Sequence, residues 1–161
     1  MFKNTIFRRM TALVLTLALA AAAALPGLAV YPMPIQTASE TEAVYLFNAD
    51  TGKTILNQNA GQQQYVASLT KLMTALLLLE SGKDLNGEVT VPTDLTQEFK
   101  DIQNANGTTM GLRIGETVRR IDLLNAMLIV SANDAASVIA YDVGGSVLDF
   151  VKQMNARAQE L

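Results

Sequence analysis

Ser68 and Lys71 are the residues in this chain whose types and spacing most directly suggest chemistry. They stand three apart at the head of an apolar run, Leu72-Met73-Thr74-Ala75-Leu76-Leu77-Leu78-Leu79. On a helix, positions i and i+3 share a face, so the hydroxyl and the amine can meet on the first turn. A partly desolvated lysine gives up its charge more readily and can then take a proton from a serine. The chain contains no histidine, which excludes a Ser-His-Asp triad for the residues present. If Ser68 is a nucleophile, its base is a lysine or a carboxylate, and Ser-Lys is a known variant. Taken alone the motif is weak, because a helix-capping serine followed by a solvated lysine has the same spacing. The apolar neighbours of Lys71 argue against solvation.

Ser131-Ala132-Asn133 forms a second polar constellation, between two apolar segments. It too has an ordinary reading, since serine and asparagine are common helix caps.

The elements that must position these residues follow from pattern. Residues 42–47 and 53–58 read as two strands joined by the Asn48–Gly52 turn. Such a hairpin is not stable alone and is expected to join a larger sheet. Residues 59–66 are a polar connection into the Ser68 helix, which ends at Ser81-Gly82-Lys83. That helix is apolar nearly all round, a pattern that predicts burial at the centre of a domain. Residues 84–117 are mixed, with short extended pieces near 88–92 and 111–117 and a loop at 104–109. Thr117 is expected to cap a helix whose apolar face uses Val118, Ile121, Leu124, Leu128 and Ile129 and which stops near Val130. Asp134 to Val143 is a further helix, closed by Gly144-Gly145. Ser146 and Asp149 resemble a capping box that opens a last helix carrying Val147, Phe150, Val151 and Met154 on one side.

Composition narrows the function. Of 12 lysines and arginines, three lie in residues 1–29, leaving 9 against 15 acids and a net charge of −6 for the rest. A mildly acidic domain with no basic run argues against nucleic acid as a partner. Without cysteine or histidine there is no disulfide framework and no ready zinc ligand set. The N-terminus has the parts of an export signal: Lys3, Arg8 and Arg9, an apolar run from Met10 to Ala24, then Pro26-Gly27-Leu28-Ala29 for cleavage after Ala29. An uncleaved anchor is the alternative, but the run is short for a span of ~20 residues. The expected organisation is a signal peptide at 1–29, a proline-containing linker at 30–41 and a domain at 42–161, working outside the cytoplasm.

Taken together, the motifs and their flanks resemble a known family. Ala67–Ala75, Gly111–Glu116, Asp122–Leu124, Met127–Ala136 and Phe150–Asn155 are all similar to serine-type D-alanyl-D-alanine carboxypeptidases. These are the low-molecular-weight penicillin-binding proteins, of the peptidase S11 family, that trim bacterial peptidoglycan. The resemblance implies an α+β fold of the β-lactamase/transpeptidase type. It implies Ser68 as acyl nucleophile, Lys71 as its proton acceptor, Ser131 as proton relay to the leaving D-alanine, and Asn133 as holder of the substrate amide. It implies no metal and no organic cofactor. The partners implied are peptidoglycan stem peptides ending in D-Ala-D-Ala and β-lactams as covalent inhibitors, with room for a membrane tether in the full-length protein. The implied location is the extracytoplasmic face of the bacterial cell membrane, the periplasm or the cell wall.

The family's third motif, Lys-Thr-Gly on a strand, does not occur here; Lys53-Thr54-Ile55 lacks the glycine and lies too early. The chain is therefore expected to be the N-terminal part of the catalytic domain, truncated before that motif, with the remaining sheet strands missing. One oxyanion-hole donor would be missing too, a loss of ~100-fold or more in rate, so the 161 residues alone are expected to be inactive. Two other readings stand beside the carboxypeptidase. One is a class A β-lactamase-like hydrolase, although those enzymes usually carry Asp where this chain has Ala132. The other is a non-catalytic penicillin-binding or decayed fragment.

Overall fold

The computed structural model describes residues 41–161. The expected signal peptide and all but the last residue of the expected linker lie outside the described residues. The chain divides into two compact units, with the boundary between Gln63 and Gln64.

In the first unit, β1 (Val44–Asn48) pairs antiparallel with β2 (Lys53–Gln58). The turn forms as its residues dictate. The Asn48 side chain accepts from the Thr51 N–H at 2.8 Å, and Gly52 takes the left-handed φ of +67°. The register shifts between Leu46 and Phe47, so that Leu46 faces Leu56 while Phe47 faces Thr54. This is a bulge, which bends the ribbon. Tyr45 and Phe47, two apart on one face, stack with ring centroids 6.3 Å apart. Among the described residues the hairpin is two-stranded.

The second unit is helical around a small ribbon. A single 3-10 turn (Ala67–Leu69) leads into α1 (Thr70–Glu80). Then come β3 (Glu88–Thr90), a 3-10 turn (Thr93–Leu95) and α2 (Thr96–Asn104). Next are β4 (Thr117–Arg119), α3 (Arg120–Ile129), α4 (Asn133–Gly144) and α5 (Val147–Glu160). The centre of the unit is α4, whose Ala135, Val138, Ile139 and Ala140 are buried against Leu78 of α1 and Leu123 and Met127 of α3. Small residues on α4 let its neighbours come close. At Gly144 a Cβ would lie 2.7 Å from the Phe150 Cβ, so only glycine lets α5 seat that buried ring. Burying the ring contributes about 2–3 kcal/mol. Gly145 then takes φ +78° and ends α4. Ser146 opens α5 by accepting from the Asp149 N–H at 3.0 Å. No helix among the described residues is long and apolar enough to cross a membrane.

Three expectations need correction. Thr117 does not cap a helix. It lies in β4, paired with Thr90 of β3, and the two hydroxyls are 3.1 Å apart; α3 starts three residues later, after an extended Arg119. The ninefold-residue stretch Thr96–Asn104 is a helix rather than mixed structure. And α1 is buried on one side only: Thr74, Ala75 and Leu78 are buried, while Leu72 and Leu79 are 60% and 56% exposed. Among the described residues α3, α4 and α5 cover one face of α1 and leave that leucine row open.

Candidate active site

Ser68 sits in the 3-10 turn just ahead of α1, and Lys71 is the second residue of the helix. Ser131 comes from the connection between α3 and α4, and Asn133 is the first residue of α4. The fold brings all four side chains together across more than sixty residues of sequence. The Ser68 and Ser131 hydroxyls are hydrogen-bonded at 2.8 Å. Lys71 Nζ donates to Asn133 Oδ1 at 2.7 Å, to Ser131 Oγ at 3.1 Å and to Ser68 Oγ at 3.5 Å.

The backbone beneath these groups is strained. Ala67, immediately before Ser68, has φ +45°, and Ser131 has φ +61°. Non-glycine residues held in the left-handed region cost of order 1–3 kcal/mol and collect at functional sites. At the end of α3, the Val130 and Ala132 N–H groups both go to the Ala126 carbonyl. Ser131 thereby fills the left-handed position that usually falls to glycine, and its hydroxyl is aimed at Ser68 and Lys71.

Asn133 is fixed twice, its backbone N–H and its Nδ2 both donating to the Thr108 carbonyl, at 2.8 and 3.1 Å. One Nδ2 hydrogen is left for a ligand carbonyl. Burial pushes the Lys71 amine below the ordinary lysine pKa, and among the described residues no carboxylate pairs with it. A lysine so placed is neutral at lower pH than a solvated one, and so is freer to accept a hydroxyl proton.

Asp134 was not singled out from the sequence, yet it organises the site from behind. Its buried carboxylate accepts from the N–H groups of Met110 and Ala135 through Oδ1 and of Gly111 and Leu112 through Oδ2, at 2.9–3.0 Å. It ties the 108–112 loop, which carries the Thr108 carbonyl, to the first turn of α4. An acid in the first turn of a helix was the available signal, but the loop that it grips is not readable from spacing.

Two clefts flank Ser68 and Lys71. One, of about 420 Å³, is lined mainly by apolar groups including Leu69, Leu72, Met127 and Leu128. The other, of about 440 Å³, runs between α1, α2 and α4 and is lined by Thr74, Glu98, Asn133 and Ser137 among others. Among the described residues, no three His, Cys, Asp or Glu side chains come together to hold a metal ion.

Comparison with known proteins identifies a family and a fold. The D-alanyl-D-alanine carboxypeptidase family profile (peptidase S11) matches residues 32–161. The chain is 32% identical over 126 residues to the Bacillus subtilis D-alanyl-D-alanine carboxypeptidase DacF, covering 78% of this chain and 32% of that protein. It is 33% identical over 129 residues to a Pseudomonas aeruginosa D-alanyl-D-alanine endopeptidase, covering 80% of this chain and 40% of that one. The chain thus spans about a third to two fifths of the length of these relatives. Among solved structures, the Streptomyces K15 DD-transpeptidase superposes with a TM-score of 0.64 at 28% identity, over 72% of this chain and 46% of that one. The fold shared with that protein is the α+β transpeptidase type expected from the motifs, and the chain belongs to the D-alanyl-D-alanine carboxypeptidase family of serine peptidases.

Proposed function

We propose that the protein is a serine-type D-Ala-D-Ala carboxypeptidase that removes the terminal D-alanine from peptidoglycan stem peptides. One observation carries this reading: the continuous hydrogen-bonded path from Ser68 Oγ to Ser131 Oγ to Lys71 Nζ. Ser68 attacks the carbonyl of the penultimate D-alanine, and its proton passes to Lys71. The 3.5 Å direct contact is long, and the route through Ser131 is made of shorter steps. Ser131 returns the proton to the leaving amine, D-alanine departs, and water hydrolyses the Ser68 ester. Asn133 holds the substrate amide with its remaining N–H. β-Lactams acylate the same serine, and neither a metal nor an organic cofactor takes part.

The same reading places the protein on the extracytoplasmic side of a bacterial membrane, in the periplasm or in the cell wall, exported by residues 1–29 and joined through 30–41 to a catalytic domain that begins at 42. N-terminal sequencing of the mature protein checks the cleavage after Ala29. A second reading is endopeptidase action at the D-Ala carbonyl of a cross-linked stem peptide. It is favoured by the 33% identical relative of that name, and only the leaving amine differs.

The test uses the complete gene product. Release of D-alanine from an N-acylated peptide ending in D-Ala-D-Ala, with a long-lived penicillin adduct, is the expected result. Rapid penicillin turnover would point to a β-lactamase-like hydrolase. Absence of both acylation and D-alanine release would contradict the enzymatic reading.

A further inference from the structure

Asn133 works only with its amide the right way round. Its Oδ1 accepts from Lys71 Nζ at 2.7 Å, and its Nδ2 donates to the Thr108 carbonyl at 3.1 Å. The two ends of an amide have nearly the same shape, so hydrogen bonds alone decide which end faces Lys71. A protonated amine only donates and selects Oδ1. A neutral amine also carries a lone pair and can meet either end. The Thr108 carbonyl only accepts, so it holds Nδ2 whatever the charge on Lys71.

The position of that carbonyl is fixed from both sides. Gly107, just before it, donates its N–H to the Ile102 carbonyl of α2 at 2.8 Å. The chain passes so close to Asn133 here that a Cβ on Gly107 would lie 3.0 Å from Nδ2. Just after it, the N–H groups of Met110, Gly111 and Leu112 turn in succession onto the buried Asp134 carboxylate, each at 3.0 Å. Successive N–H groups so arranged form a concavity that holds an anion, and Gly111 supplies its left-handed residue, with φ +86°. Ala135 N–H adds a fourth bond at 2.9 Å, so each carboxylate oxygen takes two. An asparagine in its place has one such oxygen and an NH2 group that accepts nothing, which leaves two of the N–H groups without an acceptor.

We infer that Asp134 is a positioning residue for acyl transfer: its grip on residues 110–112 holds the Thr108 carbonyl, which aims Asn133 Nδ2 at the amide carbonyl on the acyl side of the substrate. This rests on the carboxypeptidase reading above.

The experiment compares, on the complete gene product, acylation by benzylpenicillin, whose side-chain amide offers a carbonyl to Nδ2, with acylation by aminopenicillanic acid, which lacks that amide. The wild-type rate is expected to favour benzylpenicillin about tenfold, the upper range for one neutral hydrogen bond. In Asp134→Asn the ratio falls to about one. Gly111→Ala keeps the carboxylate and strains the exposed loop around it. It is expected to lower the ratio in the same direction, and it decides the matter should Asp134→Asn fail to fold. The losses of ratio in Asp134→Asn and Asn133→Ala are expected not to add, because both remove one contact. Independently of acylation, the Asn133 side-chain amide signals, assigned by their disappearance in Asn133→Ala, are expected to show protection from hydrogen exchange that is lost in Asp134→Asn or Gly111→Ala. A wild-type ratio near one, additive losses, or unchanged amide protection would overturn the inference. So would an equal fall for both β-lactams, which would make Asp134 a support of the fold alone. Failure of either compound to acylate the wild type would count against the carboxypeptidase reading, and the amide signals would still decide the role of Asp134.

Discussion

The two ends of α4 treat charge in opposite ways. At its C-terminal end, Asp142 is held by the Arg120 guanidinium through two hydrogen bonds of 2.7 and 3.0 Å and faces Lys83 at 3.5 Å. Both main partners are nearly buried, with side-chain exposures of 9% and 14%. At its N-terminal end, among the described residues, Lys71 hydrogen-bonds only to hydroxyl and amide oxygens. Ion pairing at one end fastens α3 and the segment after α1 to the central helix. Withholding it at the other leaves a lysine that can change its protonation state. Were Lys71 paired as Arg120 is, its charge would be stabilised and its use as a base lost.

Breaking the unpaired end has the largest expected effect. Lys71→Met removes the base, and β-lactam acylation of the complete gene product, followed by intact-mass spectrometry, is expected to fall about 10³-fold or more. Lys71→Arg is expected to fall as far, because a guanidinium does not give up its proton. In the wild type the acylation rate rises with pH as Lys71 loses its proton. Because burial lowers that pKa, the midpoint lies below the ordinary lysine range. A pH profile without this limb would remove Lys71 from the role.

Breaking the paired end moves stability rather than chemistry. Asp142→Asn strands Arg120, and a loss of about 3 kcal/mol or more in urea unfolding is expected with acylation intact. Burial pushes the Asp142 carboxyl up, but the hydrogen bonds and charges of Arg120 and Lys83 outweigh it and hold the pKa below the usual value. A carboxyl whose folded pKa lies below its unfolded one stabilises fully above the unfolded value. That contribution fades as pH falls through the folded one. The acid limb of the stability curve should therefore flatten in Asp142→Asn.

Two smaller changes sharpen the boundary of the paired region. Gly144→Ala forces a Cβ against Phe150, and a loss of about 1–3 kcal/mol is expected. Ser146→Ala removes the α5 cap and should cost about 1 kcal/mol in the same assay.

Legibility from sequence followed how local each feature was. The hairpin was readable because β-formers, an Asn-Ala-Asp-Thr-Gly turn and a left-handed glycine all lie within fifteen residues. The α5 start was readable because Ser146 and Asp149 meet within one turn. By contrast, α2 is not legible in sequence, because Thr96–Asn104 carries only Phe99 and Ile102 as apolar markers among polar side chains. Thr117 looks like a helix cap in sequence, but its role is set by pairing with Thr90, twenty-seven residues away. The leucine row of α1 was read as buried all round, whereas among the described residues the neighbours cover one side.

In the site, the Ser68–Lys71 spacing alone is weak, and it gains chemical meaning only with the flanking motifs. The meeting of Ser68 with Ser131 was not readable from spacing, since no periodicity links residues 63 apart; it was expected only through family resemblance. The left-handed turn that aims Ser131 carries no glycine to announce it.

The central claim is that Ser68 is the acylated residue. Incubating the complete gene product with a labelled penicillin, digesting it and mapping the adduct tests this most directly. A single penicilloyl group on Ser68, absent from Ser68→Ala, is the predicted result. An adduct on another residue, or one that persists in Ser68→Ala, would contradict it.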